Sequence, residues 1–191
     1  MRDPSLCLVI DLEATCWKDM PPPQPNSEII EIGIAEIDTK TKVITATESM
    51  IICPANSKIS DFCTELTSIT QVQVDSGITL SDACRLLRQR YNSRNCFWAS
   101  YGSSDERALR RECAAKSVTY PMSHSYINVK AMVEFQFGEL LGLHEALDRT
   151  GLGFQGRPHR GVDDAYNTAR LLLHLLPMSG GFLVDTELPN Q

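Results

Sequence analysis

The sequence predicts an α/β fold, with a central mixed five-stranded sheet flanked by helices. Three observations carry this. The chain begins with a short apolar run, Cys7 to Ile10, of the kind that suits a strand buried on both faces. Two β-branched segments then follow with only Thr39-Lys40-Thr41-Lys42 between them, which reads as a hairpin. Beyond them strands alternate with helical patterns, the order of an α/β sheet with a partly antiparallel start.

In order, strand one is the run from Cys7 into Asp11-Leu12-Glu13. Residues 18 to 27, with four prolines, read as an exposed loop. Strands two and three are Glu28 to Asp38, where Ile30, Ile32 and Ile34 alternate with Glu31 and Gly33, and Val43 to Ile52. Short helices are predicted over Ser60 to Thr67 and Leu80 to Tyr91, the latter from the spacing of Ala83, Leu86 and Leu87. Strand four is Cys96 to Tyr101, after which Gly102-Ser103-Ser104 supplies a turn and an N-cap for a helix over Asp105 to Ala115. Tyr126 to Val129 is a fifth strand. Two helices close the domain, about Leu143 to Thr150 before Gly151 and Gly161 to Leu176 before Pro177.

A length of 191 residues leaves room for one domain at about 100 to 200 residues each. The hydrophobic fraction of 42% and charged fraction of 22% are those of a packed globular chain. No apolar stretch approaches the roughly 20 residues of a membrane span, and no cleavage site follows Leu6 to Ile10, so a cytoplasmic protein is expected. The seven cysteines form no C-x-x-C pair, which argues against a zinc ribbon and for free thiols in a reducing compartment. A net charge of −6 speaks against a protein that coats nucleic acid with a broad basic face. It suits a site that grips a few nucleotides and takes its positive charge from bound cations.

Asp11 and Glu13 are two residues apart on a strand, so their side chains leave the same face and converge, as hard divalent cations require of oxygen ligands. Taken singly each acid has a plainer reading. Asp11 and Glu13 also fit a solvated strand end, Asp105 fits an acid complementing a helix dipole, and Asp164 fits a helix cap with His159 an exposed neighbour.

Together they are more specific. A D-x-E on the first strand, a mid-chain Asp and H-x-x-x-x-D before the last helix resemble the DEDDh branch of the RNase H-like 3′-to-5′ exonucleases. The motifs are Asp11-Leu12-Glu13, Asp105, and His159 followed by Asp164, a spacing that selects Asp164 over Asp163. Asp11 to Cys16, Glu28-Ile29-Ile30-Glu31, Leu66 to Thr70 and Gly156-Arg157-Pro158-His159 are similar to the sub-branch that includes the histone-mRNA 3′ exonuclease. The resemblance covers Leu6 to Leu176, and it implies an RNase H-like exonuclease domain over 1–177 with a C-terminal tail over 178–191.

The resemblance further implies hydrolysis of phosphodiester bonds at the 3′ end of single-stranded RNA, or DNA, with release of nucleoside 5′-monophosphates. It implies two divalent cations, Mg²⁺ with Mn²⁺ as substitute, held by Asp11, Glu13, Asp105 and Asp164. Asp11 would bridge both ions and Asp105 would hold the second through water. His159, of a residue type that titrates near pH 6.5, would be the general base. Ala14 and Thr15 would lie against the terminal nucleotide, with Leu66, Thr67 and Ile69 as a wedge, although core packing explains Leu66 and Ile69 equally well. An aromatic residue often precedes the mid-chain Asp in that sub-branch, whereas this chain has Ser104. Trp17 either replaces the missing stack or covers its own loop.

Overall fold

The structure, a computed structural model describing residues 5–18 and 27–176, builds its sheet around the first apolar run. That run lies in β1 (Leu6–Ala14), which pairs antiparallel with β2 (Ile29–Asp38), itself antiparallel to β3 (Val43–Ile51). On its other side β1 runs parallel to β4 (Phe97–Ser100), and β4 parallel to β5 (Tyr126–Asn128), giving the order β3-β2-β1-β4-β5. The mixed five-stranded sheet is therefore the predicted one. Parallel pairing of β1 with β4 requires a long crossover, and α1 (Asp61–Thr67), α2 (Gln71–Asp75) and α3 (Leu80–Arg90) lie within it. The remaining helices are α4 (Ser104–Ala115), α5 (Val129–Phe137), α6 (Leu143–Arg149) and α7 (Gly161–Leu175).

Each face of β1 has its own core. Leu8 and Ile10 pack with Leu87 of α3, Trp98 of β4 and Leu109 of α4. Cys7 and Val9 pack on the opposite face with Ala165, Ala169 and Leu172 of α7. Continuing that alternation sends Asp11 and Glu13 toward α7.

What brings α7 close enough is a pair of glycines. Gly33 stands opposite Asp11 in the β1–β2 register. A Cβ on Gly33 would land inside the backbone of Gly161, and one on Gly161 would lie 3.1 Å from both the Asp11 carbonyl oxygen and the Gly33 nitrogen. Two residues without side chains thus let the first turn of α7 rest on the strand backbones, with Asp164 one turn further on.

Two helices were not anticipated. Helix α2 carries Val72 and Val74, an alternation that resembles strand. Its usable signal is the capping box in which Thr70 accepts from Gln73 while the Gln73 side chain accepts from the Thr70 amide. Helix α5 begins where the fifth strand was expected to continue. Asn128 caps it through Ala131, and Gly138 ends it at φ 72°. Helix α4 starts one residue before the expected Asp105, so that Ser103 takes its N-cap position, and the Ser103 side chain makes no capping bond. Most of the proline-rich loop and the expected tail lie outside the described residues. Among the described residues no helix is long and apolar enough to cross a membrane.

A buried ionic cluster fixes the strand that follows that loop. Lys116 reaches Glu28 and Glu112 at 2.8 Å each. Glu28 also accepts from the amides of Ala55, Asn56 and Ser57, and Glu112 from that of Ile29. Burial works to raise the Glu28 carboxyl, but Lys116 and these donors outweigh it and hold it down at about 2. Lys116→Met would leave two carboxylates facing each other without a cation. The expected cost is about 3 kcal/mol, read as a lower urea midpoint at pH 7.

Candidate active site

Asp11, Glu13 and Asp164 come together where β1 meets the start of α7. Each can offer a carboxylate oxygen such that all three oxygens lie within 4.8 Å of one another. All three residues are partly accessible, as a site filled from solvent requires. Asp163 turns elsewhere, accepting from the Arg157 amide at 2.9 Å. Asp105, in the first turn of α4, is outside the triad and 8% exposed, but close enough to raise Asp11 by its charge.

The acids oppose one another's ionisation. Burial pushes Asp11 well above the ordinary carboxylate range, and the charges of Asp105, Asp164, Glu13 and Glu31 push the same way. Burial, with Asp164, Glu31 and Asp105, takes Glu13 up to about 8, against a lowering effect of Arg160. Burial raises Asp105 to about 6 despite hydrogen bonds to the backbone of Leu12 and to Ser100. Asp164 is also raised to about 6, by burial set against hydrogen bonding to the His159 backbone. Four like groups held this close need cations before all can ionise near neutral pH. All-oxygen donors fit a hard divalent cation such as Mg²⁺.

His159 stands on the segment that leads into α7. It is exposed, with φ 60° in the left-handed region, which His visits more readily than most residues. The segment is anchored at both ends. Upstream, the buried Asn167 accepts from the Gln155 amide and donates to the Gln155 carbonyl. Downstream, Arg160 and the Gly161 amide are held by Glu31, a buried residue of β2. Neither Glu31 nor Arg160 carries a local signal in the sequence that marks it for this role. Arg157 donates to the Glu65 carbonyl, a further link from this segment to α1 that no sequence pattern marks.

The other expected contacts divide by exposure. Leu66, in the last turn of α1, is half-buried. Thr67 and Ile69 are wholly buried. The Thr67 hydroxyl donates to the Cys63 carbonyl and accepts from the Ile69 amide, and Ile69 packs with Ile30, Cys63 and Val74. Thr15 is also buried, with its hydroxyl accepting from the Glu28 amide at 3.0 Å. Thr15, Thr67 and Ile69 are thus engaged inside the protein, while Ala14 and Leu66 retain partial exposure.

Known proteins share this architecture. The family model of the RNase T exonucleases matches residues 8–172. The Drosophila melanogaster 3′-5′ exonuclease Snipper is 30% identical over 98% of this chain and 75% of its own length. Human ERI1 exoribonuclease 2 is 33% identical over 86% of this chain, which spans only 27% of that protein. The crystal structure of the nuclease domain of 3′hExo, a DEDDh family member bound to rAMP, superposes with a TM-score of 0.79 at 29% identity, covering 90% of this chain and 91% of that one. The chain therefore belongs to the RNase T exonuclease family, within its DEDDh branch of metal-dependent 3′-to-5′ exonucleases.

Proposed function

We propose that the chain removes nucleotides one at a time from the 3′ end of single-stranded nucleic acid, RNA in preference to DNA, releasing nucleoside 5′-monophosphates. The observation that carries this is the convergence of Asp11, Glu13 and Asp164 on one point, with Asp105 beside them. These four would hold two divalent cations, with Mg²⁺ the natural choice and Mn²⁺ a substitute. Bound there, the ions would supply Lewis acidity for water activation, for the phosphoryl oxygens and for the departing 3′ oxygen.

The chain's own groups do the rest. His159, on its exposed segment, would accept the proton of the attacking water as the new P–O bond forms. The bond from phosphorus to the 3′ oxygen of the preceding nucleotide breaks, and that oxygen takes up a proton from solvent, so that one water is consumed overall. That leaves a shortened chain with a 3′-hydroxyl and one nucleoside 5′-monophosphate. The half-buried Leu66 would press on the terminal nucleotide, with Ala14 on the strand beside the acids. The preference for RNA rests on relatives named exoribonucleases and on the rAMP in the 3′hExo domain.

Leu66 separates binding from folding. Leu66→Ala should raise KM for a single-stranded oligonucleotide about tenfold while leaving Tm within about 2 °C, since a half-exposed leucine contributes little to the core. A large drop in Tm with KM unchanged would make it a core residue.

Product identity tests the function itself. Matched RNA and DNA oligomers with free or blocked 3′ ends should yield 5′-monophosphates only from free ends, and faster from RNA. Nucleoside 3′-monophosphates, or internal fragments from blocked substrates, would overturn it.

A further inference from the structure

One buried carboxylate beside the converging acids has no part in the proposed chemistry. Glu31 is 0% exposed and stands opposite Glu13 in the β1–β2 register. A further carboxylate beside four others is costly to bury unless it is fully paired. It is fully paired. Oε2 accepts from the Gly161 amide at 2.8 Å and from Arg160 Nε at 3.3 Å. Oε1 accepts from the second Arg160 nitrogen at 3.2 Å and from the Ser49 hydroxyl. With every lone pair so engaged, and with Glu31 absent from the converging acids, it is not placed to hold a cation.

What Glu31 grips is the junction immediately after His159. Asn167 and Arg170 fix the upstream part of the segment through Gln155, Leu152 and Gly153. Between these anchors His159 takes its left-handed φ of 60°. We propose that Glu31 is a positioning residue for the hydrolysis. By clamping Arg160 and the Gly161 amide to β2, it sets where His159 can reach. This rests on the reading of His159 as the base. Substrate contact is not involved, so the effect falls on turnover and spares binding.

The test is a double-variant cycle on the full chain, using Glu31→Gln, His159→Ala and both together. Alone, Glu31→Gln should lower kcat on single-stranded RNA about 10- to 100-fold, as displacement of a reacting group by roughly an ångström does, with KM changed less than about threefold. In the His159→Ala background the same change should cost less than about threefold, because the group that it positions is gone. Hydrogen exchange should quicken in the peptide covering residues 157–164, and Mn²⁺ affinity by titration should be retained. Arg160→Gln repeats the test from the solvent side if Glu31→Gln does not fold.

Wild-type kcat in Glu31→Gln, an equal loss in both backgrounds, or a loss that follows Mn²⁺ affinity would each overturn the proposal. Full activity of His159→Ala by itself would instead remove the base assignment on which it rests, so the two failures are distinguishable.

Discussion

Asp11→Asn is expected to abolish hydrolysis, by about 10³-fold or more, while stabilising the cation-free protein. The carboxyls of the site are raised above their ordinary values. A group of that kind contributes stability that is complete below its unfolded value and is lost as pH rises through its folded one. For Glu13 that window runs from 4.5 up to about 8. The cation-free wild type should therefore lose stability steadily between those limits. Removing the Asp11 charge should lessen the loss, with a gain in Tm at pH 8 of about 2 to 4 °C, the shift that ~1 kcal/mol makes in a domain of this size. Divalent cations should restore the wild type and have no comparable effect on the variant. Their apparent affinity for the wild type should rise with pH, because protons compete for the same oxygens. Calorimetric scans at pH 5 and 8, with EDTA or Mg²⁺, would check this, and a variant no more stable than wild type at pH 8 would count against it.

His159→Ala should lower kcat by about 10²- to 10⁴-fold, the usual contribution of a general base. Cation affinity should survive, because the proposed ligands are carboxylates on β1, α4 and α7 whereas His159 is exposed on the segment before α7. Single-turnover rates with saturating enzyme would isolate the chemical step from product release. Near-wild-type rates would sink the assignment of His159.

Much of the fold was legible in the sequence because local signals agree with the tertiary result. The run Cys7 to Ile10 is apolar at every position, and the structure buries it on both faces. The short helix α1 is bracketed by its Ser60 cap and the left-handed Ser68. The acids were legible only as a set, through the resemblance of their joint pattern to the DEDDh motifs, since each alone had a plainer reading. Chain order brings residues 11, 13, 105 and 164 near one another once the sheet and α7 are in place.

What stayed hidden is long-range. In β2 the alternation of isoleucines with Glu31 and Gly33 reads as one buried and one solvated face, yet α7 covers the second face as well. Glu31 is buried where it accepts from the Gly161 amide, 130 residues later, and from Arg160 beside it. No local pattern reports a contact of that separation. Likewise the motif leaves Ile69 open between wedge and core, and it is the chain path past the left-handed Ser68 that packs it with Ile30, Cys63 and Val74. Helix α5 was missed because Val129, Val133 and Phe137 suit strands as well as helices. Its boundaries were nonetheless marked by Asn128 and Gly138.

The most direct measurement is the time course of a 5′-labelled single-stranded RNA with wild type and Asp11→Asn, in Mg²⁺ and in EDTA. A ladder that shortens one nucleotide at a time from the 3′ end, present only for wild type in Mg²⁺, is the predicted result. Cleavage that persists in EDTA or in the variant, or label released first from the 5′ end, would contradict it.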